Sequence, residues 1–384
     1  MKELGEELKE LSKKNLLRKL TCIESSRGSK ISINGKTCVN FSSNDYLGLS
    51  SHPEIVKAAA SALKKYGFGS GASRLLSGTY APHVKLEERL ANFKKTEAAL
   101  VFNTGYAANT GIIPAITGED ALIFSDELNH ASIIDGIRLS KAKVKIYRHR
   151  DVNHLESLLK INLKSKRRLM ITDTIFSMDG DIAPLKDIFS LCERYDALLM
   201  IDDAHGTGVI GKTGRGGLEH FGIKQTDRII QMGTLSKAAG CFGAFIAGPK
   251  DLINLLISKA RSFIYSTSLP PAVAAAAAKA IDLIEFESED RRRKLWINRQ
   301  RLSEGLLKLG YDTLGSETPI IPVLTGDTKS VLKVGEYLFK RKIFAPAIRP
   351  PTVPEGKCRI RFSVTAAHTK EDIDLLIGVL KKSA

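Results

Sequence analysis

One lysine stands where covalent chemistry is possible. Lys237 lies in QMGTLSKAAGCFGA (231–244), just after the strand-like run 229–232. Its neighbours are small: Gly233, Ser236, Ala238, Ala239, Gly240 and Gly243. A lysine amine forms a Schiff base with an aldehyde, and small neighbours let a flat ring lie close to it. Thr234 and Ser236 supply hydroxyls that can donate to a phosphate. These features point to pyridoxal phosphate (PLP) held on Lys237. Taken alone, a lysine in a Gly-rich loop is more often a solvated surface residue. Residues earlier in the chain reverse that weighting.

Asp202 follows the apolar run 197–201 directly. A carboxylate at the end of a buried strand is costly unless paired. A protonated pyridine nitrogen would pair it, and that proton makes the ring an electron sink. Asn103-Thr104-Gly105-Tyr106 follows another apolar run and opens a helical pattern, so its backbone N–H groups suit a phosphate. Asn129-His130 precedes a further helix, and DTIFSMDGD (173–181) follows a third run. Read singly, Asp202 could be a helix cap and His130 a buried, hydrogen-bonded histidine. Recurrence at successive strand ends favours a shared site.

Positioning these residues requires a sheet. Seven short apolar runs (98–102, 121–124, 144–147, 169–172, 197–201, 228–231 and 244–247) alternate with helical segments such as 105–116, 130–140 and 185–195. That alternation predicts a mostly parallel sheet covered on both faces, with ligands beyond the carboxyl ends of its strands. Before it come a helix over the first ~20 residues, a hairpin over 31–39 turning at Asn34-Gly35, helices 52–66 and 83–93, and a small-residue loop, 67–79. After Pro270-Pro271 come two long helical patterns, 272–287 and 291–309. Strands 320–324 and 357–364 and helices 330–341 and 370–381 complete a smaller α+β domain. The expected division is 1–45, 46–275 and 276–384.

The 384 residues are 43% hydrophobic and 26% charged, enough for two packed domains. No run of ~18 apolar residues marks a membrane span. The N-terminal segment lacks the apolar stretch of a secretory signal. Five cysteines (Cys22, Cys38, Cys192, Cys241 and Cys358) are scattered without a CxxC pair, which suits a reduced, cytoplasmic protein and no metal site. The net charge is +16, yet the one dense basic run, Arg291–Lys294, opens a helical pattern without interleaved aromatics. It reads as a solvated helix face rather than a nucleic-acid footprint.

Six strings carry a family resemblance: NFSSNDYLGLS (40–50), FSMDGDIAPL (176–185), DDAHGTGVIG (202–211), IYSTSLPPA (264–272), IRPPTVPEG (348–356) and RIRFSVTAAH (359–368). From Asn40 to about His368 the chain resembles the α-oxoamine synthase family of fold-type I PLP enzymes. That family condenses an amino acid with an acyl thioester, loses carbon dioxide, and works as homodimers with shared sites. The resemblance implies a PLP-dependent transferase fold of type I. This is an α/β fold whose large domain has a mostly parallel seven-stranded sheet, with a smaller C-terminal α+β domain. It implies that Lys237 bonds the cofactor, Asp202 pairs with its ring nitrogen and His130 stacks on its face. His205 and Ser177 would lie near its phenolic oxygen, with Gly105, Tyr106, Thr234 and Ser236 around its phosphate. Ser266 and Thr267 would reach the phosphate in the partner subunit. Asn44 and Arg361 would hold the amino-acid carboxylate, and Arg18 and Thr352 would contact the acyl substrate.

Spacing places Arg359 and Arg361 on one strand face, where both could simply face solvent; the resemblance selects Arg361. The string IRPPTVP points to the branch that joins L-alanine to a pimeloyl thioester, on CoA or acyl carrier protein, in biotin biosynthesis. Ser73 leaves room for alanine's methyl group, and Arg349 could help bind an acidic acyl chain. Arg74 is shared with sister branches, including the one that joins glycine to acetyl-CoA. A non-catalytic partner subunit is a further alternative, against which Lys237 argues.

Overall fold

Asn34 and Gly35 take φ of 50° and 69°, the left-handed pair that a two-residue type I′ turn requires. Lys30–Ile33 (β2) and Lys36–Asn40 (β3) therefore fold back on one another, with Ser25–Arg27 (β1) beside β2. The structure is a computed structural model that describes residues 2–162 and 167–382. It comprises two compact units: residues 49–176 with 182–292, and residues up to 48 with 177–181 and 293 onward.

The larger unit holds the predicted sheet. Its strands are Ala98–Phe102 (β4), Ala121–Asp126 (β5), Lys143–Tyr147 (β6), Arg167–Asp173 (β7), Leu198–Asp202 (β8), Ile229–Thr234 (β9) and Ala244–Gly248 (β10). All seven form where the apolar runs predict. Their order is β4-β10-β9-β8-β7-β5-β6. β10 runs antiparallel to both neighbours, and the other pairings are parallel. Side chains alternate between the two faces. Leu169 and Ile171 join a core with Ile112, Ile133 and Leu256 from helices Gly105–Ile116, Ala131–Ser140 and Lys250–Lys259. Met170 joins the opposite core with Leu155, Leu185 and Ile188 from Val152–Lys160 and Leu185–Arg194. Burying each such side chain contributes about 1.5–3 kcal/mol, and this fixes the strand ends in space.

In the smaller unit, Ile320–Gly326 (β11) pairs antiparallel with a central strand, which in turn pairs with Ala347–Ile348. Ile343–Phe344 (β12) joins β3 in parallel, with Ile343 opposite Val39. Ala347–Ile348 is β13 and the central strand, Cys358–Ser363, is β14.

Three sequence readings change. The first helix is Lys2–Lys13, not ~20 residues. Asn15 turns left-handed, φ 56°, so Arg18 lies beyond the helix. The basic run is also not a uniformly solvated face. Arg292 is buried and donates to the carbonyls of Ile284 (2.6 Å) and Lys212 (3.1 Å). The predicted helix 272–287 is Pro271–Asp282 plus a wider turn, Leu283–Glu287, and Arg292 satisfies a carbonyl within that turn. No helix among the described residues is long and apolar enough to cross a membrane.

His368 links the packing of the smaller unit to pH. Its ring stacks on Phe41 with centroids 4.4 Å apart. Nδ1 accepts from the Thr365 backbone (3.0 Å) and Nε2 donates to Asn40 O (3.1 Å). Burial pushes its pKa down to about 4, against the pull of Asp372. The unfolded chain, with a histidine near 6.5, binds the proton more readily. Stability is therefore full above about pH 6.5 and is lost as pH falls towards 4, by up to about 3 kcal/mol. Denaturant midpoints at pH 7 and 4.5 should show this loss, and His368→Gln should flatten the difference. An unchanged difference in the variant would assign the acid sensitivity elsewhere.

Candidate active site

Three carboxylates close neighbouring strands: Asp126 ends β5, Asp173 ends β7 and Asp202 ends β8. Asp173 sits opposite Asp202 in the ladder. Both are buried. Asp202 is held by the Ala204 N–H on Oδ1 (3.0 Å) and by Asn109 Nδ2 on Oδ2 (2.8 Å). Asp173 Oδ2 accepts from the His130 backbone (2.8 Å). Burial first, and then the Asp202 charge, lift the Asp173 carboxyl well above the usual carboxylate range. His130 caps helix Ala131–Ser140. His130 keeps some solvent exposure, yet burial of its ring lowers its pKa. Asp202 opposes that shift and Lys237 reinforces it. The structure thus brings Lys237, Asp202, His130 and Asp173 into one electrostatic neighbourhood.

Lys237 is half-buried in a tight loop after β9. The Gly240 N–H donates to Lys237 O (2.8 Å) and the Leu235 N–H to Gly243 O (2.9 Å). Gly240 has φ 62°, and a Cβ there would collide with the Ser50 backbone, which explains the glycine. The Thr234 and Ser236 hydroxyls both donate to Gly243 O, at 3.0 and 3.2 Å. They brace the loop, a job that the sequence reading did not give them. Thr104 caps the next helix through Ala107 N (3.0 Å). The first-turn N–H groups at Gly105 and Tyr106 have no carbonyl partner within their own helix. A Cβ at Gly105 would meet Met232 Cε at 3.0 Å. The Tyr106 hydroxyl donates to Asp135, and His205 is buried in the turn after Asp202.

Gly206 of DDAHGTG and the later Gly216 have a separate cause. Asp203 forms a fully buried ion pair with Lys94, 2.7 Å, and also accepts from Thr207 Oγ1 and Gly217 N (3.0 Å each). A Cβ at Gly206 or Gly216 would strike the Asp203 carboxylate. Sequence reasoning missed Lys94. It lies far upstream at the end of helix Ala81–Lys94, and no spacing rule links it to Asp203.

Ser73 and Thr267 pair as an isolated antiparallel bridge, and the Ser268 N–H donates to Ala72 O (2.9 Å). The loop 67–79 is therefore pinned to the segment bearing Ser266 and Thr267. Arg74 is bidentate to Glu87 (2.8 and 2.9 Å) and donates to Thr79 Oγ1 (3.0 Å). Its job is structural.

In the smaller unit both strand arginines are buried, against the solvent-facing alternative. They differ in partners. Arg359 is ion-paired to Asp179, 2.7 Å. Among the described residues the Arg361 fork meets neutral acceptors: Asn44 Oδ1 from both terminal nitrogens (3.2 Å each), Tyr46 OH (3.5 Å) and Ser177 O from Nε. A buried guanidinium on neutral acceptors gains most from an incoming carboxylate. Arg361→Lys keeps the charge and loses the fork, and should raise the KM for the amino acid roughly tenfold to a hundredfold. Arg359→Lys should leave it nearly unchanged. Equal effects in steady-state assays would remove the distinction. Arg18 donates to Thr352 Oγ1 (3.1 Å), Pro350 O (3.3 Å) and Arg349 O (3.4 Å), and Arg349 donates to Leu17 O (2.8 Å). Arg349's pKa is lowered by burial and then by the Arg18 charge. Arg18, Arg349 and Thr352 thus form one basic cluster.

The donor set of the larger unit fits PLP. Asp202 is a buried carboxylate oriented by two N–H donors, the kind of acceptor that a protonated ring nitrogen requires. Lys237 supplies the amine, and a helix start supplies N–H groups for a phosphate.

Residues 36–380 match the family described as aminotransferase class I and II. The chain belongs to that family, as a fold-type I enzyme of the α-oxoamine synthase class with pyridoxal phosphate as its cofactor. Within the class its relatives are 8-amino-7-oxononanoate synthases. The protein of that name from Geobacter sulfurreducens is 48% identical over 382 residues, covering 99% of this chain and 97% of the relative. The one from Geotalea daltonii is 49% identical over 383 residues, with 99% and 97% covered. Among solved structures, a serine palmitoyltransferase from S. paucimobilis with a bound PLP–myriocin aldimine superposes with TM-score 0.93 at 30% identity, covering 99% of this chain and 96% of that one. An 8-amino-7-oxononanoate synthase from Francisella tularensis gives 0.78 at 30% identity, with 90% and 97% covered.

Proposed function

We propose that this chain joins L-alanine to a pimeloyl thioester, carried on CoA or on acyl carrier protein. The products are 8-amino-7-oxononanoate, carbon dioxide and the free thiol, in biotin biosynthesis. The reaction class rests on one observation: a lysine on a strand-end loop sharing its electrostatic neighbourhood with a buried, N–H-held aspartate and a neutral histidine. The choice of substrates rests on relatives that match along nearly the whole chain.

When bound, PLP supplies an electron sink for negative charge at the amino acid's Cα. Lys237 would hold the cofactor covalently, and its freed amine would take the Cα proton and later return one. Asp202 would keep the ring nitrogen protonated. His130, with Ser177 and His205 near the phenolic oxygen, would fix the ring. Gly105, Tyr106, Thr234 and Ser236 would lie on the phosphate side. Arg361 and Asn44 would hold the alanine carboxylate. Arg18, Thr352 and Arg349 would receive the acyl substrate, and the two guanidiniums suit its distal carboxylate. In the condensation, Cα bonds to the thioester carbonyl carbon, the C–S bond breaks and the thiol leaves. The carboxylate then departs as carbon dioxide while His130 polarises the new ketone. A homodimer is expected, in the cytoplasm, with Ser266 and Thr267 serving the partner subunit's cofactor. Exposure of Thr267 supports that role.

The sister reading, condensation of glycine with acetyl-CoA, loses one support, because Arg74 is committed to Glu87. Thiol release from pimeloyl-CoA by PLP-loaded protein, with alanine, glycine and serine in parallel, tests the choice. Release with alanine alone is expected. Release with glycine alone, or none from pimeloyl-CoA or the pimeloyl carrier protein, would overturn it.

A further inference from the structure

Asn109 lies on helix Gly105–Ile116, its side chain fully buried, and was not among the residues that the sequence singled out. Its Nδ2 has two hydrogens and two acceptors: Asp202 Oδ2 at 2.8 Å and Ser132 Oγ at 2.9 Å. Ser132 Oγ lies 2.7 Å from His130 Nδ1, and the Ser132 N–H reaches the same nitrogen at 3.2 Å. The directions of these bonds are forced. An ionised Asp202 can only accept, so the amide nitrogen must face it; a flipped amide would set oxygen against oxygen. The second amide hydrogen then goes to Ser132 Oγ, which leaves the serine's own hydrogen for His130 Nδ1. The serine hydroxyl at 2.7 Å and the longer backbone N–H contact at 3.2 Å both donate to Nδ1, and together they place the imidazole proton on Nε2.

The helices bearing Asn109 and Ser132 approach closely at Gly136, where a Cβ would come within 2.8 Å of Asn109 O. Asn109 Oδ1 is buried without a hydrogen-bond partner among the described residues. An unsatisfied oxygen costs stability, and the two forced donor bonds account for its being tolerated.

We propose that Asn109 is a positioning residue that holds both cofactor-contacting groups at once. It holds the Asp202 carboxylate in orientation through a direct donor, and through Ser132 it helps keep His130 in the Nε2–H tautomer. The proposal rests on the reading of Asp202 and His130 as PLP contacts. Asp173 and His130 interact electrostatically with Asp202, Lys237 interacts with both of them, Asp126 lies beyond Asp173, and buried Asp203 and His205 follow Asp202 in the chain.

The test is cofactor binding, measured by titrating PLP into apoprotein across pH, with apoprotein melting as the folding control. Removing a donor from an ionised carboxylate raises its pKa. Asn109→Ala should therefore weaken PLP binding roughly tenfold at neutral pH and shift the acid limb of the binding profile upward by about one pH unit. Ser132→Ala spares Asp202 and should leave that limb in place. In nitrogen NMR of histidine-labelled protein, Ser132→Ala should turn the single His130 tautomer of the wild type into a mixture. Should Asn109→Ala not fold, the NMR of Ser132→Ala still decides the relay. An unmoved acid limb in Asn109→Ala, or one unchanged tautomer in Ser132→Ala, would overturn the proposal. Asp202→Asn keeps the underlying reading separate. If it binds PLP as tightly as wild type, the assignment of Asp202 fails; if it binds weakly while Asn109→Ala behaves as wild type, only the positioning role fails.

Discussion

Replacing Lys237 with alanine should lower turnover of alanine and pimeloyl-CoA by roughly a thousandfold or more. Proton transfer by a positioned side chain contributes about 10²–10⁴-fold, and the covalent hold on the cofactor is lost with the same amine. The loop itself should survive. Hydrogen bonds through the backbone of Lys237 and Gly240 and through Thr234, Ser236 and Gly243 hold it. The clean measurement is borohydride reduction followed by intact mass. Wild-type protein should keep one reduced cofactor per chain, and the variant none. A variant that retained the adduct, or turned over at the wild-type rate, would move the covalent role to another lysine.

Lys94→Met should cost about 3–5 kcal/mol of unfolding free energy, the range for breaking a buried ion pair from one side. Against a total stability of about 5–15 kcal/mol, that is large. The reason is Asp203. Its carboxylate is fully buried at 2.7 Å from Lys94 Nζ, and without the ammonium the donors left to it among the described residues are the Thr207 hydroxyl and the Gly217 N–H. Lys94 also donates to Arg215 O at 2.6 Å, so a carbonyl would be stranded too. Denaturant unfolding of Lys94→Met and of the Lys94→Met/Asp203→Asn double variant would separate the terms. The second change should recover part of the loss by removing the unpaired charge. A single-variant loss below about 1 kcal/mol would show that water reaches Asp203 and the pair is not dry.

The composition of the strands was enough to place them. Each buried strand is a short apolar run, and each helix between them shows a helical period, so β4 to β10 appear where the runs lie. The chemistry at their ends was also legible, because a sheet of this kind binds ligands beyond the carboxyl ends of its strands. Asp202 and His130 could be singled out from their positions in the chain. The Asn34-Gly35 turn was equally local, since only a few residues accept positive φ there.

What the sequence by itself determined is therefore what local pattern encodes: the strands, the helices, the turn, and residue types that the α-oxoamine synthase motifs tie to PLP chemistry. The tertiary structure alone decided the partners. It paired Lys94 with Asp203, Asn109 with Asp202, Arg359 with Asp179 and Arg361 with Asn44, and it buried Arg292 within an apparently solvated run. Those assignments depend on which distant side chains meet in a low-dielectric interior. The charge of one residue is stabilised there by another tens to hundreds of positions away, and neither carries any mark of the other in its own stretch of chain.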